Sequence, residues 1–157
     1  MELIQLNEVV KLLEKFAIDI RDRYKDVLTS HDRIASRNLI DSIKTNVVVG
    51  DKEFLVTMTL ADYWKYVEYG SAPHWPPMSA IQRWIEVKPV IPRPGNNGKI
   101  PTTKQLAYLI SRKISIEGTE GSHDLDKTKE DILPWYRQRI SEALGHDIAM
   151  YLGKFFA

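Results

Sequence analysis

The sequence predicts an α+β fold, in which long N-terminal and C-terminal helices pack on a small antiparallel β-hairpin with short central helices. Apolar residues recur at steps of three and four near both ends of the chain, as on one face of a helix. Between these ends, residues 47–60 are β-branched and alternating around a glycine turn, which is typical of a hairpin. A chain of 157 residues is long enough for one domain and short for two. We therefore expect a single domain over 1–157, with loops at 88–101 and 119–130.

Two helices are predicted before the hairpin. The first covers about 7–28, and Asn7 can cap it by accepting a backbone N–H. Its apolar stripe has to be buried, and burial within the same molecule is favoured over docking on a partner. Ser30 is the expected cap of a second, shorter helix that reaches about Thr45. The apolar positions of this second helix are Ile34, Leu39, Ile40 and Ile43.

A hairpin and a short helix are predicted for the middle of the chain. The hairpin pairs 47–49 with 54–60, and it must lie on helices or join other strands, because two strands alone are marginal in water. Ser79 opens the short helix with the capping-box pattern Ser-x-x-Gln. This helix should end before Lys88, since the proline that follows disfavours helix at the preceding residue.

The C-terminal part is predicted to hold two helices separated by polar connectors. Four of the eight prolines lie in the loop 88–101. Thr102 begins a second capping box, and the helix that it starts ends at a glycine-rich turn. The inward positions of this helix are Leu106, Ala107, Leu109, Ile110 and Ile114. After the connector 122–130, the last helix begins near Asp131 with Pro134 in its first turn.

Composition excludes several classes of function. The chain has no cysteine, which removes disulfides, thiolate nucleophiles and cysteine metal clusters. No apolar run approaches the ~20 residues of a membrane helix, and no secretory signal is recognisable, so we expect folding in a cytoplasm and no membrane contact. Basic and acidic residues are balanced in consecutive thirds of the sequence (8 and 8, 6 and 5, 8 and 8), which does not favour dedicated nucleic-acid binding.

Recognisable catalytic and metal-binding motifs are missing from the sequence. No pair of the four histidines has the spacing of a zinc helix, and there is neither a phosphate-binding loop nor a strained serine elbow. We therefore expect no enzymatic activity, no cofactor and no metal site. A hydrolase with a non-standard site stays an alternative, and it would need Glu68 or Glu86 to approach His74.

Aromatic residues concentrate in the segment 63–84, which is the most distinctive feature of the chain. The rings are those of Tyr63, Trp64, Tyr66, Tyr69, Trp75 and Trp84. Two roles for these rings are nearly equally supported by the sequence: packing in the core and anchoring a protein interface. An interface role is considered because six large rings are many for one small core. A third interpretation is a small nucleic-acid-binding adaptor, in which these rings stack on bases. Stacking of that kind needs interleaved basic residues, and only Lys65 and Arg83 are close.

Part of this segment follows a recognisable pattern. The string Tyr63-Trp64-Lys65-Tyr66-Val67-Glu68-Tyr69-Gly70-Ser71, followed by Pro73-His74-Trp75-Pro76-Pro77, is close to the pattern Y-A-x-x-V-E-x-G-T with prolines after it. It resembles the signature of tailed-phage neck and minor tail proteins, the head–tail joining or tail-completion family. Ser71 stands where threonine is common, and Trp64 where a small residue is. A helix that ends at Ile116-x-Gly118-Thr119, and the order of elements over about 9–157, are also similar.

The resemblance implies a structural subunit of a phage virion. Such a subunit forms a ring between portal and tail, or at the end of the tail, after assembly in the host cytoplasm. Its partners would be copies of itself and portal, neck or tail-tube proteins, while DNA passes through without being specifically bound. Gly70 is expected to permit a turn with φ > 0, and Glu68 to cap or pair nearby. Closed rings use two different patches, for which the aromatic segment and the loop 88–101 are the candidates.

Overall fold

The computed structural model describes residues 6–31, 37–50, 53–88, 90–95 and 98–156, and it confirms the α+β class. The elements in chain order are α1 Asn7–Ser30, α2 Asn38–Ser42, β1 Lys44–Val49, β2 Phe54–Thr59, α3 Trp64–Tyr69, β3 Gly70–Ser71, α4 Met78–Val87, α5 Thr103–Glu117, β4 Thr119–Glu120 and α6 Asp124–Phe156. They fall into two compact units. The first unit holds α1, α2, the β1–β2 hairpin and α6, and the second holds α3, α4, α5 and the β3–β4 pair. The single-domain organisation stays a prediction.

The core of the first unit lies where α1 packs on α6. Ile20 of α1 is buried with Ile132 and Tyr136 of α6, and Met58 of the hairpin packs against the same cluster. The ring of Phe16 meets Tyr136 edge-on, with 5.0 Å between centroids. The predicted apolar stripe of α1 is therefore buried within the chain, and the hairpin lies on a helix, as two strands require.

The first turn of α1 is capped from a distance. The sequence predicted Asn7 as the cap, but Asn7 is already helical and the N-cap residue, Leu6, offers no side-chain hydrogen bond. Instead, the backbone N–H groups of Glu8 and Val9 donate to Oδ2 of Asp147, at 3.0 and 3.1 Å. Asp147 lies on α6 and is buried, so a carboxylate from the other end of the chain satisfies these donors.

The second helix is shorter than predicted. Ser30 does not cap it, because Ser30 is the last residue of α1, and Ile34 lies outside the described residues. α2 has only five residues, and β1 begins at Lys44 where helix was expected. The hairpin prediction is confirmed: β1 and β2 pair antiparallel with Val47 opposite Val56, and β1 gains three residues because its burial already alternates from Lys44 onward.

The last helix begins seven residues earlier than predicted. The predicted connector 119–130 is wrong for most of its length, since Thr119–Glu120 form β4 and α6 starts at Asp124. Pro134 therefore lies inside the helix rather than in its first turn. Leu125, Thr128 and Ile132 are buried at helical spacing, so one narrow inward stripe runs through a stretch that is polar on average. Asp124 is also buried, and its Oδ1 lies 3.0 Å from Nδ1 of His31.

Replacing Tyr136 with phenylalanine should lower the free energy of unfolding by about 1.5 kcal/mol, because its hydroxyl donates to the Asp19 carboxylate inside the first unit. Burial, and then this carboxylate, raise the pKa of Tyr136 above its ordinary 10.0. An unfolded tyrosine loses its proton above about pH 10 while the folded one keeps it, so stability falls as pH rises from there. Urea unfolding at pH 8 and pH 10.5 measures this loss of stability. The free energy of unfolding should fall less between the two pH values in Tyr136→Phe than in the wild type, and as much as in the wild type in the control Tyr66→Phe.

The second unit is built around α4 and α5, which pack against each other. The capping box at Thr102 is confirmed in both directions with Gln105, whereas the one predicted at Ser79 is wrong: Ser79 is helical and Pro77 precedes α4. α4 ends before Lys88 as predicted, and the described residues of 88–101 contain no helix or strand. Leu109 was predicted to face inward but is half exposed, because α5 buries a narrow stripe centred on Ala107 and Ser111. None of the helices in the described ranges combines the length and hydrophobicity that a membrane span requires.

Candidate functional site

Two segments that carry the family resemblance lie side by side in the second unit. α3 ends at Tyr69, and β3, which follows it directly, pairs antiparallel with β4, so that Gly70 faces Glu120 and Ser71 faces Thr119. The pairing continues onto the last turn of α3, where N–H groups of 122 and 123 donate to carbonyls of 67 and 68 at 2.9 and 3.0 Å. We call this backbone arrangement, residues 67–71 with 118–123, the clasp.

Three glycines make the clasp possible. A Cβ at Gly70 would lie 2.0 Å from the carbonyl oxygen of Thr119, and one at Gly118 would lie 2.2 Å from that of Ser71. A Cβ at Gly121 would lie 2.2 Å from the carbonyl oxygen of Glu68. Gly70 and Gly118 both have φ of 75° with extended ψ, a backbone region that is essentially restricted to glycine. The positive φ predicted for Gly70 is thus confirmed, and Gly118 shares it.

Polar side chains at the clasp form hydrogen bonds that stabilise the turn after β3. The hydroxyls of Ser71 and Thr119 lie 2.9 Å apart. Nδ1 of His74 is 2.9 Å from the carbonyl oxygen of Ala72, which assigns a proton to that nitrogen, because a carbonyl only accepts. Ser71 Oγ is 3.4 Å from the same nitrogen, and a nitrogen that is already donating does not serve as a base for this hydroxyl. The backbone N–H of His74 also donates to Ile114 O, at 3.4 Å, so this residue fixes the turn.

Most of the aromatic rings lie on the surface of the molecule. Tyr63, Tyr66, Tyr69, Trp75 and Trp84 are the exposed members, with 38 to 65% of each residue accessible. We call these five residues the exposed aromatic set. Trp64 is partly buried and packs edge-on against Tyr69, with 6.0 Å between ring centroids. Of the two interpretations weighed for these rings, core packing therefore describes only a minority of them.

The rings do not form one stacked cluster. Tyr69 meets the ring of His123 at 5.9 Å between centroids, and Trp75 meets Tyr108 at 5.8 Å. Trp84, on α4, takes part in none of the ring pairs found among the described residues. Of the remaining predicted residues, Val67 and Pro73 lie in or beside the clasp, and Glu68 is fully buried at the end of α3. The set thus presents several separate rings rather than one stack.

Sequence reasoning missed a group of basic residues in the second unit. Residues 87–116 contain six lysines and arginines and no aspartate or glutamate. Three of these cations, Arg93, Lys99 and Lys104, line an open groove of about 780 Å³ beside the start of α5. Counting charges in thirds concealed this run, because the boundary at residue 100 divided it and joined each half to acidic neighbours. A shorter window would have found it.

Comparison of the chain with protein-family models, with curated proteins and with solved structures found no match.

Proposed function

We propose that this protein is a structural subunit of a tailed-phage virion, which forms a ring at the head–tail junction or at the tail end and joins portal or neck to tail. The observation that carries the proposal is the exposed aromatic set. Two of its rings, Tyr66 and Tyr69, lie on α3, whose last turn is paired in the clasp, and the clasp includes Glu68, Gly70 and Gly118, on which the family resemblance rests.

The surface chemistry of the second unit supports a role in holding protein to protein. Among its described residues, Pro76, Ile85 and Ala107 are the buried apolar side chains, while many larger ones are exposed, including Tyr66 at 65% and Ile91 at 91%. Monomeric soluble proteins rarely leave large contiguous apolar patches in water. Tryptophan and tyrosine also contribute more than their share of binding energy when an interface buries them.

A ring explains how such a surface is covered. In a closed ring, one patch of each subunit meets a different patch of the next copy, so that no apolar patch is left over. Copies of this chain, and portal, neck or tail-tube proteins, are the partners in this proposal, and DNA passes through without specific recognition. The net charge of +1 suits a passage that does not retain DNA. The assembled protein is located in the neck or tail of the virion.

Mass measurement and negative-stain imaging of the purified protein test the proposal. The expected result is discrete ring-shaped oligomers, either of the protein alone or after addition of portal or tail-tube protein. A stable monomer that binds neither of these components would contradict it.

Replacing Tyr66 with serine should raise the protein concentration needed for assembly at least tenfold. The melting temperature of the isolated subunit should stay unchanged. Tyr66 is 65% exposed and makes no ring contact among the described residues, so its loss costs little in the isolated subunit. Removing a tyrosine at the centre of an interface, where tyrosines are enriched among the residues of largest effect, costs about 2 kcal/mol or more, which exceeds the ~1.4 kcal/mol of one factor of ten. Ile18→Ser, at an exposed apolar position of α1, is the matched control. Equal assembly of both variants would count against the exposed aromatic set as the interface.

A nucleic-acid-binding adaptor is the second candidate, and the acid-free run 87–116 is the observation that favours it. Exposed rings can stack on bases, and six basic residues can contact phosphates. Titration with single-stranded and duplex DNA at low salt separates the two candidates. Tight binding that falls steeply with salt would support the adaptor, whereas weak binding together with ring assembly supports the virion subunit.

A further inference from the structure

We propose that the groove beside the start of α5 is a docking site for a short acidic segment of a partner protein, one that carries apolar side chains among its carboxylates. We call it the basic groove, and six of its lining residues carry the argument: Met78, Arg93, Lys99, Ile100, Lys104 and Tyr108. The proposal goes beyond assembly of the ring, and it stands whether or not the protein is a virion component.

Two cations of the basic groove have no acidic partner in the part of the chain that the structure describes. No aspartate or glutamate lines the groove, and neither Arg93 nor Lys104 forms an ion pair with any acid in the described ranges. Lys104 also lies in the first turn of α5, which contains no acidic residue. A cation there is disfavoured by the helix dipole, so these charges destabilise the unbound protein slightly. An acidic ligand would relieve that repulsion.

The walls of the basic groove select a peptide rather than a nucleic acid. Ile100, Tyr108 and Leu109 are between half and two-thirds exposed, and Met78 and Pro101 complete a lining that is mostly apolar. A phosphate backbone would reach the cations but leave these walls in water. A peptide that alternates carboxylates with apolar side chains covers both, which gives charge complementarity and apolar burial together. The volume of about 780 Å³ is in the range of sites that enclose small ligands, so the segment is short.

Peptide selection tests the proposal with a defined probe. A display library of random dodecapeptides is selected on the wild-type protein, and the affinity of the most enriched peptide is then measured by fluorescence anisotropy. We expect enrichment of aspartate and glutamate interspersed with leucine, isoleucine or aromatic residues, and an affinity that falls as sodium chloride is raised. Selected peptides without an excess of acidic residues would overturn the proposal.

Charge reversal locates the site of binding. Lys104→Glu and Arg93→Glu should each weaken the selected peptide at least tenfold, and Ile100→Ser should weaken it severalfold. Arg112→Glu is the matched control, because Arg112 is an exposed cation of the same helix outside the groove lining, and it should change the affinity less than threefold. Equal effects of Lys104→Glu and Arg112→Glu would mean attraction by bulk charge and would overturn the proposal.

Two further measurements distinguish a lost peptide site from unfolding and from a nucleic-acid site. Lys104→Glu places an acid at a helix N-terminus, so its melting temperature should not fall, and a loss of peptide binding then does not reflect unfolding. A 20-nucleotide single strand that binds more tightly than the peptide, with the same dependence on Arg93 and Lys104, would show a nucleic-acid site and overturn the proposal. Ring assembly of the wild-type protein, measured by mass, reports on the proposed function, so its failure is distinguishable from a failure of peptide binding.

Discussion

Replacing Gly70 with alanine should lower the free energy of unfolding by about 3 kcal/mol or more and should open the clasp. The new Cβ would lie 2.0 Å from the Thr119 carbonyl oxygen and 2.8 Å from the backbone nitrogen of Gly121, and both of these are main-chain atoms that cannot rotate away. A non-glycine residue in this backbone region costs about 1 to 3 kcal/mol before any clash is counted. Urea unfolding measures the loss, and hydrogen exchange at residues 119–123 measures the opening.

Gly98→Ala is the control that separates backbone strain from collision. Gly98 also has a positive φ, of 70°, but no atom of the described residues lies within 4 Å of the Cβ that alanine would add. Its substitution should therefore cost about 1 kcal/mol and leave exchange at 119–123 unchanged. If Gly70→Ala cost no more than Gly98→Ala, the close approach of β3 to β4 would be contradicted.

Replacing Asp147 with alanine should lower the free energy of unfolding by about 2 to 3 kcal/mol, and the loss should appear first at the start of α1. The carboxylate accepts from two backbone N–H groups, and Val9, which holds one of them, is 4% exposed. Without the carboxylate these donors stay unpaired in a site where water does not easily replace it. Amide exchange of Glu8 and Val9 should accelerate well beyond that of the middle of α1.

A pair of further substitutions makes the capping prediction specific. Asp147→Asn keeps an acceptor and loses the charge, so it should cost about half as much as the alanine variant. Glu14→Gln removes an exposed carboxylate from α1 and should change stability by less than about 0.5 kcal/mol. Equal stability of Asp147→Ala and wild type would show that the start of α1 is capped in another way.

The elements that sequence reasoning predicted well are those specified by local signals. The apolar stripe of α1, the alternation in β1 and β2 and the reciprocal cap at Thr102 each depend on residues a few positions apart. The errors arose where the start or the cap of an element depends on residues that are distant in the sequence. The cap of α1 comes from Asp147, which is 138 residues from Val9, so no local pattern could have displaced Asn7 as the candidate. The early start of α6 depends on a buried stripe within polar sequence, which a search for apolar periodicity passes over.

In the candidate site, too, features with a local signal were predicted and features that depend on tertiary contacts were not. The positive φ of Gly70 was expected from the family resemblance and is confirmed, whereas the helix α3 that precedes it was not predicted. The pairing of Ser71 with Thr119 could not be predicted, because strands of two residues have no periodicity and their partner lies 48 positions away. Exposure of the rings also depends on tertiary structure, since a tyrosine in sequence gives the same signal whether it is buried or not. The run of basic residues at 87–116 could have been detected in the sequence by counting charges in a shorter window. The groove that three of them line depends on tertiary structure.

The clasp separates the residues that must stay fixed from those that are free to change. Its hydrogen bonds run between main-chain atoms, and its close approaches demand only that three positions carry no side chain. The aromatic residues beside it contribute none of these bonds. Replacing Tyr66 or Trp75 with another side chain is therefore expected to change this surface without disturbing the main-chain bonds. The exposed side chains can be varied one at a time while the backbone that carries them stays the same.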